Sequence, residues 1–171
     1  YKPTEDASLF AVYSKNASNT GTGDYVKVTN GTSLISGGKY LVVFEPVTAE
    51  DLAIVATPIA FNGVNETIDA AGNYFSVSIS GNTIAQTTAI DDAAITVLPI
   101  EGTANYSMQI STGRYMGSLG SSTGINSNKS DPYPTTITVG AGDVATIANA
   151  SGSNIYNFRF NYDISIRRSE F

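Results

Sequence analysis

Fifteen aspartates and glutamates carry whatever acid–base chemistry this 171-residue chain can perform, because it contains no histidine and no cysteine. Without imidazole there is no Ser-His-Asp catalysis, no histidine general base and no His-ligated zinc or iron. Without thiols there is no disulfide, thiolate metal site or cysteine nucleophile. No glycine-rich phosphate loop with a Lys followed by Ser or Thr is present. A glycosidase built from the acids between Glu45 and Asp163 would need two carboxyls about 5–10 Å apart, one of them raised in pKa by burial. Most of these acids flank turns, where Asp and Glu act as solvated or turn-capping groups. Asp91-Asp92 lacks the regular oxygen spacing of a calcium loop and reads as a helix-start cap. The chain is therefore expected to be non-catalytic, with no cofactor and no metal, and a carboxylate hydrolase is the outlying alternative.

The aromatic residues are a stronger lead: ten Tyr and seven Phe, with no Trp. Sugar-binding surfaces stack a pyranose on an aromatic ring while Asn, Asp and Arg take the hydroxyls. The stretch Asn126-Ser127-Asn128-Lys129-Ser130-Asp131-Pro132-Tyr133-Pro134 has that mixture, with one ring held between prolines. Its alternative is a surface loop whose Tyr packs back on the body. Further on, Tyr156, Phe158, Phe160 and Tyr162 alternate with Asn157, Arg159 and Asn161, so one strand face there is wholly aromatic. A barrel needs large inward residues, which makes that face core. The functional alternative is a stacking platform beside Arg159. The candidate ligand-binding residues are thus Asn126, Asn128, Asp131, Tyr133 and Arg159.

The elements that must position them are strands. Gly37-Gly38-Lys39-Tyr40-Leu41-Val42-Val43-Phe44 is a Gly-Gly turn running into aromatic, β-branched and aliphatic residues, which marks a buried strand. Glycine-then-Tyr openings recur near Tyr74, Tyr115 and Tyr156, at spacings of 34, 41 and 41 from Tyr40 onward, suggesting a partly repetitive body. Asp24–Val28 and Phe75–Ile79 alternate, Gly81-Asn82 is a hairpin turn, and Ile95–Leu98, Tyr106–Ile110, Thr135–Val139, Val144–Ala148 and Ile155–Phe160 read as further strands. Thr48–Asp51 opens a short run that competes as a helix over 49–56. Residues 117–131 read as a loop. Residues 1–23 read as an N-terminal arm or linker with a possible strand at 8–13, because Asn16–Gly23 has linker composition. Residues 24–171 then form one all-β, barrel-like or trefoil-like domain of about a dozen short antiparallel strands, with a β-sandwich as the alternative.

Only 14% of residues are charged, and the net charge of −6 with a pI near 4.4 repels phosphate backbones and anionic lipid. No run approaches the ~18 apolar residues of a membrane helix. We therefore expect neither nucleic-acid binding nor membrane insertion. A surface rich in Thr, Ser, Asn and Gly fits a secreted or cell-surface protein. Tyr1 is not an initiator residue, so a processed or excised piece is expected. Oligomeric state is left open.

The order Gly38-Lys-Tyr-Leu-Val-Val43, Ala60-Phe-Asn-Gly63, Ile68-Asp69, Val77-Ser-Ile79 and Ala93-Ala-Ile-Thr-Val97 resembles a β-rich accessory domain of secreted or surface Bacteroidetes proteins. The likeness continues through Tyr106–Ile110, Gly113–Gly117 and Phe158-Arg159-Phe160, and departs in Thr48–Ile59. Such modules sit beside extracellular nuclease or hydrolase domains. The resemblance implies a compact barrel-like or trefoil-like body and an accessory role, with no catalytic set to carry over. Glycan is then the leading ligand class. A structural or protein-interaction module that docks a neighbouring domain is the alternative.

Overall fold

The computed structural model describes residues 10–15, 23–46, 56–63, 74–117, 126–151 and 154–157. It is built on two long strands, β1 (Phe10–Lys15) and β3 (Gly38–Phe44), paired antiparallel from Phe10↔Phe44 to Ser14↔Tyr40. Each changes partner along its outer edge. β3 bonds β8 (Ile95–Pro99) through Gly38–Tyr40, then β4 (Ile59–Phe61) through Val43 and Phe44. β1 meets β13 (Ala145–Ser151) at Phe10, then β2 (Tyr25–Lys27) from Tyr13 to Lys15.

The first set of partners closes a ring. β8 pairs β9 (Tyr106–Gln109), β9 touches β12 (Thr135–Val139), β12 pairs β13, and β13 returns to β1. The result is a closed six-stranded antiparallel barrel with further strands attached. A ring of this size is filled by its own side chains. Val12, Tyr40, Val42, Ile95, Met108 and Ile147 are among those that fill it. Against its wall, β10 (Tyr115–Gly117) pairs β9 and β11 (Asn126–Lys129), and β14 (Asn154–Asn157) pairs β13. The sandwich alternative does not form, because the sheet closes on itself.

The second set of partners makes a lobe. β4 pairs β5 (Tyr74–Ser76), β2 pairs β7 (Thr83–Ile84), and β7 pairs β6 (Ile79–Ser80). A short helix, α1 (Thr88–Ala93), covers the lobe, which encloses Ala11, Tyr13, Tyr25, Leu41, Val43 and Ile84 among others. Side chains alternate across a strand. Val12, Tyr40 and Val42 therefore face the barrel, while Ala11, Tyr13, Leu41 and Val43 face the lobe. That double burial explains why Tyr40–Phe44 is uninterruptedly apolar instead of alternating.

Several local readings differ from the sequence expectation. Phe10–Lys15 is an inner strand of the body, where the sequence predicts an arm over 1–23 with a possible strand at 8–13. Phe75–Ile79 is split between β5 and β6, with Val77 N–H bonding Pro58 O at 2.9 Å one position beyond the Ile59↔Ser76 pair of β4 and β5. Part of the expected loop 117–131 is strand β11, paired to β10 across a register shift. The Tyr repeat does not define equivalent positions, since Tyr40 is fully buried and Tyr74 is 55% exposed. The expected helix over 49–56 lies almost wholly outside the described residues.

Candidate functional site

Polar side chains concentrate where the lobe opens toward solvent, and strand register puts them there. Tyr13↔Lys27 and Lys15↔Tyr25 are opposed across β1 and β2, so all four lie on the lobe face. Both Tyr residues are fully buried, and their hydroxyls end on carboxylates. Tyr25 Oη donates to Asp91 Oδ1 at 2.8 Å. Lys15 Nζ reaches both Asp91 oxygens at 2.8 Å, and Gln86 Nε2 donates to Oδ2 at 2.6 Å. In the second cluster Tyr13 Oη donates to Glu45 Oε1, while Lys27 Nζ meets Oε2 at 2.6 Å.

The electrostatics follow from these contacts. Burial raises the Tyr13 and Tyr25 phenols well above their ordinary value, and the carboxylate each one faces raises them further, so both stay protonated donors. Burial alone would raise Asp91, but the hydrogen bonds from Lys15, Gln86 and Tyr25 outweigh it and hold the carboxyl below its ordinary range. Asp91 is therefore an ionised acceptor with its lone pairs engaged. It is poorly suited to general-acid work, which needs a carboxyl raised in pKa.

Asp91 does not cap the helix start, the role that its sequence context predicts. Thr87 does: its Oγ1 accepts from Ile90 N at 3.2 Å. The acid sits one turn further in and looks across to β1 and β2. Sequence reasoning missed the Tyr13/Lys27/Glu45 and Tyr25/Lys15/Asp91 clusters because their members come from four separate stretches. The only trace in the sequence is the matched Tyr and Lys spacing in Tyr13–Lys15 and Tyr25–Lys27. Other acids serve as backbone acceptors: Asp143 Oδ1 takes Asn30 N at 2.8 Å, and Asp24 Oδ1 takes Gln86 N at 3.0 Å. Among the described residues no group of three or more acids is placed to hold a metal ion.

The expected ligand residues lie elsewhere, on the barrel wall. Tyr133 is half-buried, and its ring lies against Gly117: a Cβ added there would come within 2.4 Å of the Tyr133 ring. Glycine at 117 is thus what lets the ring settle onto β10. Asp131 is exposed nearby, and Tyr133 is raised in pKa by burial first and by the Asp131 charge second. Asn126 and Asn128 belong to β11, which pairs with β10, so the structure brings the backbone of this stretch alongside Gly117. Arg159 lies outside the described residues, as do Phe158, Phe160 and Tyr162.

Depressions of the described surface include a groove beside the lobe and a notch beside β1. A shallow apolar groove of about 320 Å3 runs between the Phe75–Ser78 segment and α1, with no titratable lining residue. A notch of about 130 Å3 lies where β1 passes from β13 to β2, and Lys27, Glu45 and Asp143 line it. Tyr133 lines neither. Compared with known proteins, the chain matches no family model, no curated protein and no solved structure. Its functional reading rests on its own residues.

Proposed function

We propose that this chain is a non-catalytic accessory domain of a secreted or surface-exposed protein of the Bacteroidetes type, and that it recognises glycan through the 126–133 stretch. The observation that carries the non-catalytic reading is the engagement of its best-placed acids. Glu45 and Asp91 are each held by a buried tyrosine and a lysine, which makes them structural acceptors. The glycan reading draws support from Tyr133, a ring braced on Gly117 with the exposed Asp131 carboxylate close by. A braced ring loses little freedom when a sugar stacks on it.

A structural or protein-interaction module serving a neighbouring domain is the second reading. It draws on the same contact, because a ring laid on Gly117 also serves packing alone. A glycan array probed with the whole chain separates the two. Binding that disappears in Tyr133→Ala and weakens in Asp131→Asn, with unchanged thermal melting for the exposed Asp131 variant, supports the glycan site. Undiminished binding in both variants would remove the site, and an array with no bound glycan would leave the structural reading.

A further inference from the structure

The sequence contains two Asn-Gly dipeptides, Asn30-Gly31 and Asn62-Gly63, and the fold gives them opposite surroundings. Asn30-Gly31 occupies an exposed turn closed by Thr32 N donating to Thr29 O at 3.0 Å. Gly31 has φ +83, nothing lies within 4 Å of where its Cβ would be, and its N–H has no hydrogen-bond partner among the described residues. Gly63 is enclosed. Its N–H donates to Ala93 O at 2.9 Å, and a Cβ there would sit 2.5 Å from that same oxygen, under the C-terminal end of α1.

We propose that Asn30 is a site of spontaneous deamidation and isoaspartate formation, and that α1 protects Asn62 from the same reaction. The Gly31 amide nitrogen gives up its proton to base and attacks Asn30 Cγ. A nitrogen–carbon bond forms, the bond from Cγ to the side-chain nitrogen breaks, and ammonia leaves after taking a proton from water. The cyclic imide is then opened by one water molecule. Attack at Cγ gives aspartate. Attack at the main-chain carbonyl gives isoaspartate, in which the backbone runs through the former side chain. The sum is amide plus water going to carboxylate and ammonium, so only hydrolysis is involved. The step needs an accessible nitrogen and a side chain free to swing onto it. Gly31 and Asn30 meet both needs, whereas the Gly63 nitrogen must first leave Ala93.

The product bears on the fold. Asn30 N–H donates to Asp143 Oδ1 at 2.8 Å, a bond joining the β2–β3 turn to the β12–β13 turn. Asp143 is the one non-glycine with positive φ among the described residues, at 60°. A new carboxylate on residue 30 would add negative charge to the residue whose backbone N–H holds the Asp143 carboxylate, and like charges repel. The turn contact is thereby weakened as the protein ages.

The test is to hold the whole chain in mildly alkaline buffer and map its peptides by mass spectrometry over time, with enzymatic methylation to count isoaspartate. Conversion at Asn30 should outpace conversion at Asn62 by roughly tenfold or more, equivalent to about 1.4 kcal/mol of barrier. In denaturant the two rates should draw together, since protection at Asn62 comes from α1. Asn30→Gln should abolish the early isoaspartate signal. Equal rates at the two sites in folded protein, or a ratio that persists in denaturant, would overturn the proposal.

Discussion

Replacing Asp91 by Ala removes the acceptor for three side-chain donors at once, and the cost can be assembled from the contacts. The Tyr25 hydroxyl, on a residue with no exposed surface, loses its carboxylate. An unsatisfied buried hydroxyl costs about 1–3 kcal/mol. Lys15 and Asp91 are each about one-fifth exposed, so their ion pair is screened and adds at most roughly 1 kcal/mol. We therefore expect Asp91→Ala to destabilise the fold by about 1–4 kcal/mol in urea unfolding. Tyr25→Phe keeps the ring in the lobe core and removes only the donor, costing roughly 1 kcal/mol. The informative quantity is the double variant. With both partners gone no hydroxyl is stranded, so the two changes together should cost about 1–2 kcal/mol less than their sum. Additivity within about 0.5 kcal/mol would show that the Tyr25–Asp91 contact carries no weight in holding the lobe together.

Other outcomes follow from the same contacts. Gly63→Ala should lower stability by about 1–3 kcal/mol, because the added methyl meets the Ala93 carbonyl and backbone cannot swing aside; urea midpoints equal to wild type would contradict that enclosure. Folding depresses Asp91, so its contribution is complete above the ordinary value of 3.8 and disappears as pH falls through the lower folded value. The stability gap between wild type and Asp91→Asn should accordingly narrow below pH 3.8, and a gap unchanged with pH would count against it. Tyr13 and Tyr25 are displaced the other way. Their contribution is present below pH 10.0 and is lost as pH rises toward their folded values. Ultraviolet difference titration should leave both phenols silent while exposed tyrosines ionise, and ionisation of all ten in one step before unfolding would refute their burial.

What the sequence conveys here depends on how local the determining physics is. The β3 run, the Gly81-Asn82 hairpin and the Ile95–Leu98 and Thr135–Val139 strands are readable because their residues alone decide them. The role of β1 is not readable in the same way. Asn16–Gly23 looks like a linker by composition, and nothing local reveals that the six residues before it wedge between β3 and two further strands. Asp91 shows the same limit: an Asp-Asp pair ahead of a strand looks like a cap until Lys15 and Tyr25 arrive from distant sequence. Phe75–Ile79 alternates strictly in sequence, yet its two ends pair with different strands, β4 and β7, and that change of partner has no local signal. For the candidate glycan stretch, the Asn/Asp/Tyr mixture was visible, whereas the seat that Gly117 provides for Tyr133 was not.

The shared wall of β1 and β3 has a consequence for how this protein can vary. Odd-numbered Tyr13, Leu41 and Val43 answer to one interior, and even-numbered Val12, Tyr40 and Val42 to the other. Substitutions at neighbouring positions on the same strand should then be compensated in separate places, Leu41 near Ile84 or Ala60 and Val42 near Met108 or Ile147. Grafting either half onto a foreign scaffold would carry along a ribbon whose reverse side is written for the half left behind.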